Sequence, residues 1–225
     1  MTSLSRLLVP DDASPPDDDL LARLRGGEAP DRAERAHLGA ALRRLIQAAV
    51  STTATDAALA DATAQVRHIA EQLGSTPTRW PPGNGFGAAP GGDMFVTHPL
   101  VGAANPLAPP LRVEVRDGRV VARATYGPAH EGLRGKVHGG VIAAAFDGMV
   151  IFASVVGGHR GLTGSLNLRF LRTTPIGVDI TYESELERID GRKAFVTGRL
   201  RDSDGNVCVE AEGVIVSVDR EVFER

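Results

Sequence analysis

The sequence predicts an α+β fold in which a curled antiparallel sheet wraps one long apolar helix, with further helices towards the N-terminus. Three observations predict this class. The segment Gly139 to Val156 has helical character with apolar residues on every side, which requires burial on most sides. Segments in which apolar and polar residues alternate, as in strands, lie before and after it. Two segments with apolar residues at helical spacing precede both.

Composition excludes several classes of protein. The 225 residues are 42% hydrophobic and 24% charged with a net charge of −3, so no basic excess indicates nucleic acid or anionic lipid. Cys208 is the only cysteine, which excludes an intrachain disulfide and a multi-thiolate metal site. The start of the chain lacks the pattern of a signal peptide, and no apolar stretch is long and uninterrupted enough to span a bilayer. We therefore expect a soluble cytoplasmic protein that binds neither membrane nor nucleic acid.

The chain divides into three parts by composition: an N-terminal arm and helical hairpin (1–74), a Pro/Gly-rich connecting segment (75–104) and the main domain (105–225). Prolines and aspartates in residues 1–19 predict a loose arm. The break "STTATDAA" between two helical patterns predicts a hairpin whose second helix stops near Gly74. The connecting segment is either a linker or an ordered loop that folds over a site. Its "GNGFGAAPGG" lacks the spacing of a dinucleotide fingerprint.

The main domain reads as a hairpin, one buried helix and four further strands. Asp117-Gly118 is a two-residue hairpin turn between the first two strands. After the helix, a long strand runs from Leu162 to Phe170, and its polar face holds Thr163, Ser165, Asn167 and Arg169. A meander of three strands follows, with turns at Asp190-Gly191 and Asp204-Gly205.

The apolar helix contains one acid, Asp147. Burying an unpaired carboxylate is costly, so Asp147 either has a structural hydrogen-bond partner or is retained for chemistry. At the start of the helix stand His138, Gly139 and Gly140. Unpaired amides at a helix N-terminus suit a developing oxyanion, although two glycines also serve a tight turn.

Distance constrains how these groups work together. Gly139 and Asp147 are eight residues apart, which is roughly 12 Å along a helix. A single reacting carbonyl needs both groups close to it, and one helix does not easily provide that. Two antiparallel copies of the helix across a two-fold axis would do so. If this is a site, we expect at least a dimer with shared sites.

Residues 105 to 218 resemble the hotdog-fold acyl-CoA thioesterases of the PaaI-like type. The segments that carry the resemblance are "NPLAPPLRVEV", "GPAHEGLRGKVHGGVIAAAFD" and "LTGSLNLRFLRTTPIG", which together span about half the chain. The resemblance implies a curled sheet around a long helix, homodimers that often pair into tetramers, and hydrolysis of a thioester. It implies no cofactor beyond the coenzyme A of the substrate.

The resemblance assigns roles residue by residue. Asp147 matches the catalytic acid, which acts as general base or attacks directly. Gly139 and Gly140 match the oxyanion glycines. Thr163 matches a hydroxyl on the following strand, and a hydroxyl that makes only local strand bonds is the equal alternative. His138 matches the motif histidine, which either contacts the thioester or fixes the turn, and we favour the turn. Expected substrate-binding residues are Asn105, Val137, Phe146, Ser165, Arg169 and Arg172.

The match has one departure and one addition. Gly148 stands where relatives commonly carry a bulkier residue, which predicts a wider pocket, while the N-terminal helices are not part of the family core. The Ala, Val, Met and Phe residues of the helix indicate an apolar acyl group, and its small residues leave room that favours a bulky or long one. Arg169, Arg172 and Lys136 are candidates to hold the phosphates of coenzyme A, although each also suits a solvated surface.

Other functions fit the sequence less well. A non-catalytic protein that binds acyl-CoA or an acyl carrier shares the fold but gives no reason to retain Asp147. A hotdog dehydratase would need a catalytic histidine string that "THPLVGAANP" does not match. The six histidines form no metal-binding motif, so no metal is expected. "LTGSLNL" lacks the spacing of a serine nucleophile elbow.

Overall fold

A six-stranded antiparallel sheet curls around one helix, as the sequence predicts. The computed structural model describes residues 30–76, 97–109 and 111–218. In chain order the elements are α1 (Pro30–Ser51), α2 (Asp56–Gly74), β1 (Arg112–Arg116), β2 (Arg119–Thr125), a 3-10 turn (Pro128–His130), α3 (Gly139–Val156), β3 (Leu162–Phe170), β4 (Asp179–Asp190), β5 (Lys193–Arg201) and β6 (Val207–Val216).

The sheet has the strand order β1-β2-β4-β5-β6-β3, so β1 and β3 form its two edges. The β1–β2 turn has positive φ at both Asp117 (49°) and Gly118 (75°), which is the backbone of the two-residue turn that the sequence predicts. The predicted meander is β4, β5 and β6, with Gly191 and Gly205 at positive φ in its turns.

Helix α3 is the core helix, and its buried side packs closely on the sheet. Phe146, Met149 and Val150 are fully buried against the strands. The close approach depends on Gly213 of β6, because a Cβ there would lie 2.9 Å from Cβ of Val150. Among the described helices, α3 alone is long and apolar enough to cross a membrane by length and composition, and more than half of it is buried inside the protein.

A bulge in β3 changes the predicted orientation of Thr163. The β3–β6 register shifts between Thr163 and Ser165, so Gly164 is an extra residue. Thr163 consequently pairs with Ile215, which is fully buried, and shares the inner face of the sheet with Leu166 and Leu168. The prediction that Thr163 lies on the polar outer face is therefore wrong, because simple alternation does not include the extra residue.

The two N-terminal helices form where the sequence predicts them. Thr55 caps α2 by accepting a hydrogen bond from the Ala58 N–H, and α2 ends at Gly74 as expected. However, every residue of α2 is exposed, so within the described chain α2 does not pack on α1 as a closed hairpin. The predicted arm (1–19) and the "GNGFGAAPGG" run lie outside the described residues.

Helix α1 lies against the main domain. The Gln47 side chain accepts a hydrogen bond from the Ala129 N–H (2.9 Å), and Arg43 donates to the carbonyls of Ala103 and Asn105 (both 2.9 Å). These contacts join α1 to the 3-10 turn and to residues 97–109. The N-terminal extension is thus partly integrated with the sheet domain.

Candidate active site

A groove of about 620 Å³ opens at the N-terminus of α3. Its lining includes five residues singled out from the sequence, namely Lys136, Val137, His138, Gly139 and Arg172. Phe170, at the end of edge strand β3, forms part of the wall beside Gly139. The lining is mostly apolar, with two cationic side chains, a combination that suits an acyl compound with an anionic portion.

His138 is the N-cap of α3. Its backbone is extended (φ −64°, ψ 134°), and its Nδ1 accepts a hydrogen bond from the Gly140 N–H at 2.9 Å. The His138 N–H donates to the His130 carbonyl at 2.8 Å. These contacts are the ones expected of a histidine that fixes the turn.

The hydrogen bond to His138 makes the amide groups of Gly139 and Gly140 different from each other. The Gly140 N–H is already bonded to His138. The Gly139 N–H, in contrast, forms no hydrogen bond with any residue that the structure describes, and Gly139 lines the groove. Because it also lies at the positive end of the helix dipole, the Gly139 N–H is the available donor for an oxygen that acquires negative charge.

Asp147 lies on the side of α3 that the sheet leaves uncovered. Ala143, Asp147, Ile151 and Val155 follow one another every four residues, and all four are half-buried. Asp147 is therefore more exposed than the all-round apolar pattern predicts, because the sheet covers only one side of the helix. It does not line the groove, since it stands two turns along α3, roughly 12 Å from Gly139.

Residues 97–105, here called the strap, cross α3 next to Asp147. A Cβ on Gly148 would lie 3.3 Å from Cβ of Leu100 and 3.6 Å from Cγ1 of Val101. The space left by the missing side chain is thus filled by the strap. The expectation that Gly148 widens the pocket is wrong, because residues distant in sequence occupy that space.

His98 of the strap is a residue that the sequence analysis missed. Its ring lies 5.8 Å from the ring of Phe152 on α3, and its Nδ1 accepts a hydrogen bond from the Leu100 N–H at 3.2 Å. Burial lowers the pKa of His98, and the negative charge of Asp147 acts in the opposite direction. No sequence motif indicated this proximity, since the two residues are 49 positions apart.

Thr163 has a buried hydroxyl with an unused hydrogen-bonding capacity. Its Oγ1 makes no hydrogen bond with the described part of the chain. An unpaired buried hydroxyl is unfavourable, so such a group usually has a partner supplied from elsewhere. The role of Thr163 in orienting water or a carboxylate stays a prediction.

The remaining predicted residues are not gathered at the groove. Phe146 is fully buried in the core, where its ring meets that of Tyr182 at 5.1 Å. The Asn105 side chain bonds within its own loop, to Thr97 and Leu107. Ser165 is exposed on β3, and Arg169 pairs with Glu210 at 2.7 Å. Across residues 30–76, 97–109 and 111–218, no cluster of three or more potential metal ligands is present.

Comparisons with known proteins identify the family. Residues 134–209 match the model of the Thioesterase superfamily. A crystal structure of a thioesterase superfamily protein is 31% identical, with a TM-score of 0.71 over 84% of this chain and 96% of that one. The chain belongs to the thioesterase superfamily, which confirms the resemblance found in the motifs. Since the match extends well beyond residues 105–218, it includes part of the N-terminal extension.

Curated relatives carry a more specific name. The acyl-coenzyme A thioesterase THEM4 of Bos taurus is 32% identical over 104 residues, which are 46% of this chain and 43% of the bovine one. The Xenopus laevis protein of the same name is 30% identical over 89 residues, 40% of each chain. The chain thus spans less than half the length of these relatives.

The role of His138 as the N-cap of α3 can be tested by substitution. We expect His138→Ala to lower the free energy of unfolding by about 1 kcal/mol, because it removes the acceptor for the Gly140 N–H. His138→Asn should recover most of that loss, since asparagine is a good N-cap. Chemical denaturation monitored by circular dichroism measures both, with His68→Ala on exposed α2 as control. Equal losses in the alanine and asparagine variants would contradict the capping role.

Proposed function

We propose that the protein is an acyl-CoA thioesterase that hydrolyses the thioester of an apolar acyl-CoA to a carboxylic acid and free coenzyme A. The observation that carries the proposal is the Gly139 N–H, which lies unbonded to described residues at the start of α3 and within a mostly apolar groove. Membership of the thioesterase superfamily and the names of the curated relatives support the same reaction.

The reaction needs a second subunit in this proposal. Within one chain, Asp147 and Gly139 are separated by roughly 12 Å of rigid helix. The uncovered side of α3 and the unpaired edge of β3 both favour pairing with a second copy. A two-fold axis between antiparallel α3 helices would bring Asp147 of one subunit to the groove of the other. The assembly is then a homodimer, or a tetramer made of two such dimers, with shared sites.

The chemical steps follow from these groups. The thioester carbonyl oxygen accepts a hydrogen bond from the Gly139 N–H, and the helix dipole stabilises the negative charge that develops on it. Asp147 removes a proton from a water molecule, whose oxygen attacks the carbonyl carbon. The C–S bond then breaks, and the coenzyme A sulfur leaves and takes up a proton. In the alternative route, Asp147 attacks the carbonyl itself and water hydrolyses the resulting anhydride.

Other residues have supporting roles in the proposal. The buried Thr163 hydroxyl orients the water or the Asp147 carboxylate. Arg172 and Lys136, which line the groove, bind the phosphates of coenzyme A in this proposal, whereas Arg169 is already paired with Glu210. The small and aliphatic residues beside Asp147 on α3 suit an apolar acyl chain.

Replacing the acid tests the proposed function. We expect the wild-type protein to release free thiol from at least one member of a panel of short, medium, long and aromatic acyl-CoAs. Asp147→Asn should reduce kcat by about 100-fold or more, because the amide neither takes a proton nor attacks the carbonyl. Asp61→Asn, an exposed acid on α2, is the matched control. A wild-type protein that binds acyl-CoA without hydrolysing it would instead identify a binding protein.

Replacing a single amide donor tests the oxyanion site. Gly139→Pro removes the Gly139 N–H, yet proline is well accepted at the first residue of a helix and the extended backbone of His138 is suitable before proline. We expect a loss of about 100-fold in kcat, as for other single oxyanion donors.

Gly139→Ala is the control for this change, because it keeps the N–H and its Cβ would lie 3.4 Å from Phe170, an ordinary contact distance. It should retain activity within a few-fold of the wild type. Hydrolysis by Gly139→Pro at the rate of Gly139→Ala would show that this amide is not an oxyanion donor.

A further inference from the structure

We infer that His98 is a positioning residue for Asp147, and that the strap and helix α1 hold it in place. This inference rests on the proposed function, because it concerns how the catalytic acid is oriented. This inference also gives a function to the N-terminal extension, for which the family resemblance implies none.

The strap is seated on α3 beside Asp147. Leu100 and Val101 occupy the space over Gly148, the residue that follows Asp147. The His98 ring lies against Phe152, one helical turn beyond Gly148. The strap also folds back on itself, because the Gly102 N–H donates to the His98 carbonyl at 2.8 Å. His98 is thereby fixed within electrostatic reach of the Asp147 carboxylate.

Helix α1 holds the far end of the strap. The two terminal nitrogens of Arg43 donate to the carbonyl oxygens of Asn105 and Ala103, each at 2.9 Å. Gly39 allows the helix to approach closely, since a Cβ there would lie 2.5 Å from the Ala103 carbonyl oxygen. The Asn105 amide nitrogen donates to the Thr97 carbonyl at 3.2 Å, which ties the two ends of the strap together.

One nitrogen of His98 remains available. Because Nδ1 accepts the Leu100 N–H, the proton of a neutral imidazole must be on Nε2. Burial lowers the pKa of His98, which favours the neutral ring, although the negative charge of Asp147 acts in the opposite direction. No residue in the described ranges accepts a hydrogen bond from Nε2. The Nε2–H is therefore available to donate to one oxygen of Asp147 through one water, which would leave the other oxygen to take the proton from the attacking water.

Two substitutions at His98 separate positioning from packing. His98→Phe keeps an aromatic ring against Phe152 but removes both nitrogens. His98→Gln keeps an acceptor for the Leu100 N–H and an N–H donor. We expect His98→Phe to lower kcat for the best acyl-CoA by about 10- to 100-fold with KM within about twofold, and His98→Gln to retain much more of the activity. Leu107→Ala, which changes an 81% exposed side chain just beyond the strap, is the control.

The contact with α1 is tested in the same assay. Arg43→Ala removes both hydrogen bonds to the strap. It should lower kcat in the same direction as His98→Phe. Wild-type kcat in Arg43→Ala would overturn the role of α1.

The outcomes distinguish this inference from the proposed function. Wild-type kcat in His98→Phe, or equal losses in the phenylalanine and glutamine variants, would overturn the positioning role of His98. If Asp147→Asn is inactive in the same assay, the proposed function stands regardless. A wild-type protein that hydrolyses no thioester would overturn both.

Discussion

The rise of an α-helix fixes how far Asp147 lies from the amides at the start of α3, and the proposed site depends on that distance. The sheet packs against Phe146, Met149 and Val150, which are fully buried on one side of the helix. The donor and the acid therefore cannot approach each other within one chain. The same packing leaves one side of α3 uncovered, and Asp147 lies on that side. The acid is thus exposed on the side of α3 that a second subunit would cover in the proposed dimer.

The surroundings of Asp147 are not made by the sheet domain alone. Leu100 and Val101 of the strap pack against Gly148, which has no side chain to keep them away. Arg43 of α1 binds the other end of the strap through two hydrogen bonds. A larger residue at position 148 would push the strap away from α3 and move His98 with it. Gly148 and the N-terminal extension are therefore complementary features of this chain. The related crystal structure, whose match covers 84% of the chain, indicates that such an extension is not confined to this sequence.

The fold was largely predictable from sequence because its signals are local. Period-two strands, the Asp117-Gly118 turn and the apolar run of α3 each specify their own conformation. The side of the sheet on which Thr163 lies was not predictable, because a bulge at Gly164 adds one residue to the count. The exposure of Asp147 and its proximity to His98 depend on which surfaces meet, and no periodic pattern encodes contacts across 49 residues.

The central claim is that each active site combines Asp147 of one subunit with the Gly139 amide of another. Mixing two inactive variants, Asp147→Asn and Gly139→Pro, tests this most directly once their subunits have exchanged. In a random mixture half of the dimers are mixed and each has one intact site, so thiol release should recover to about a quarter of the wild-type rate. Native mass spectrometry of differently tagged variants verifies that mixed dimers have formed. If they form and no activity returns, the site is not shared and the account is wrong.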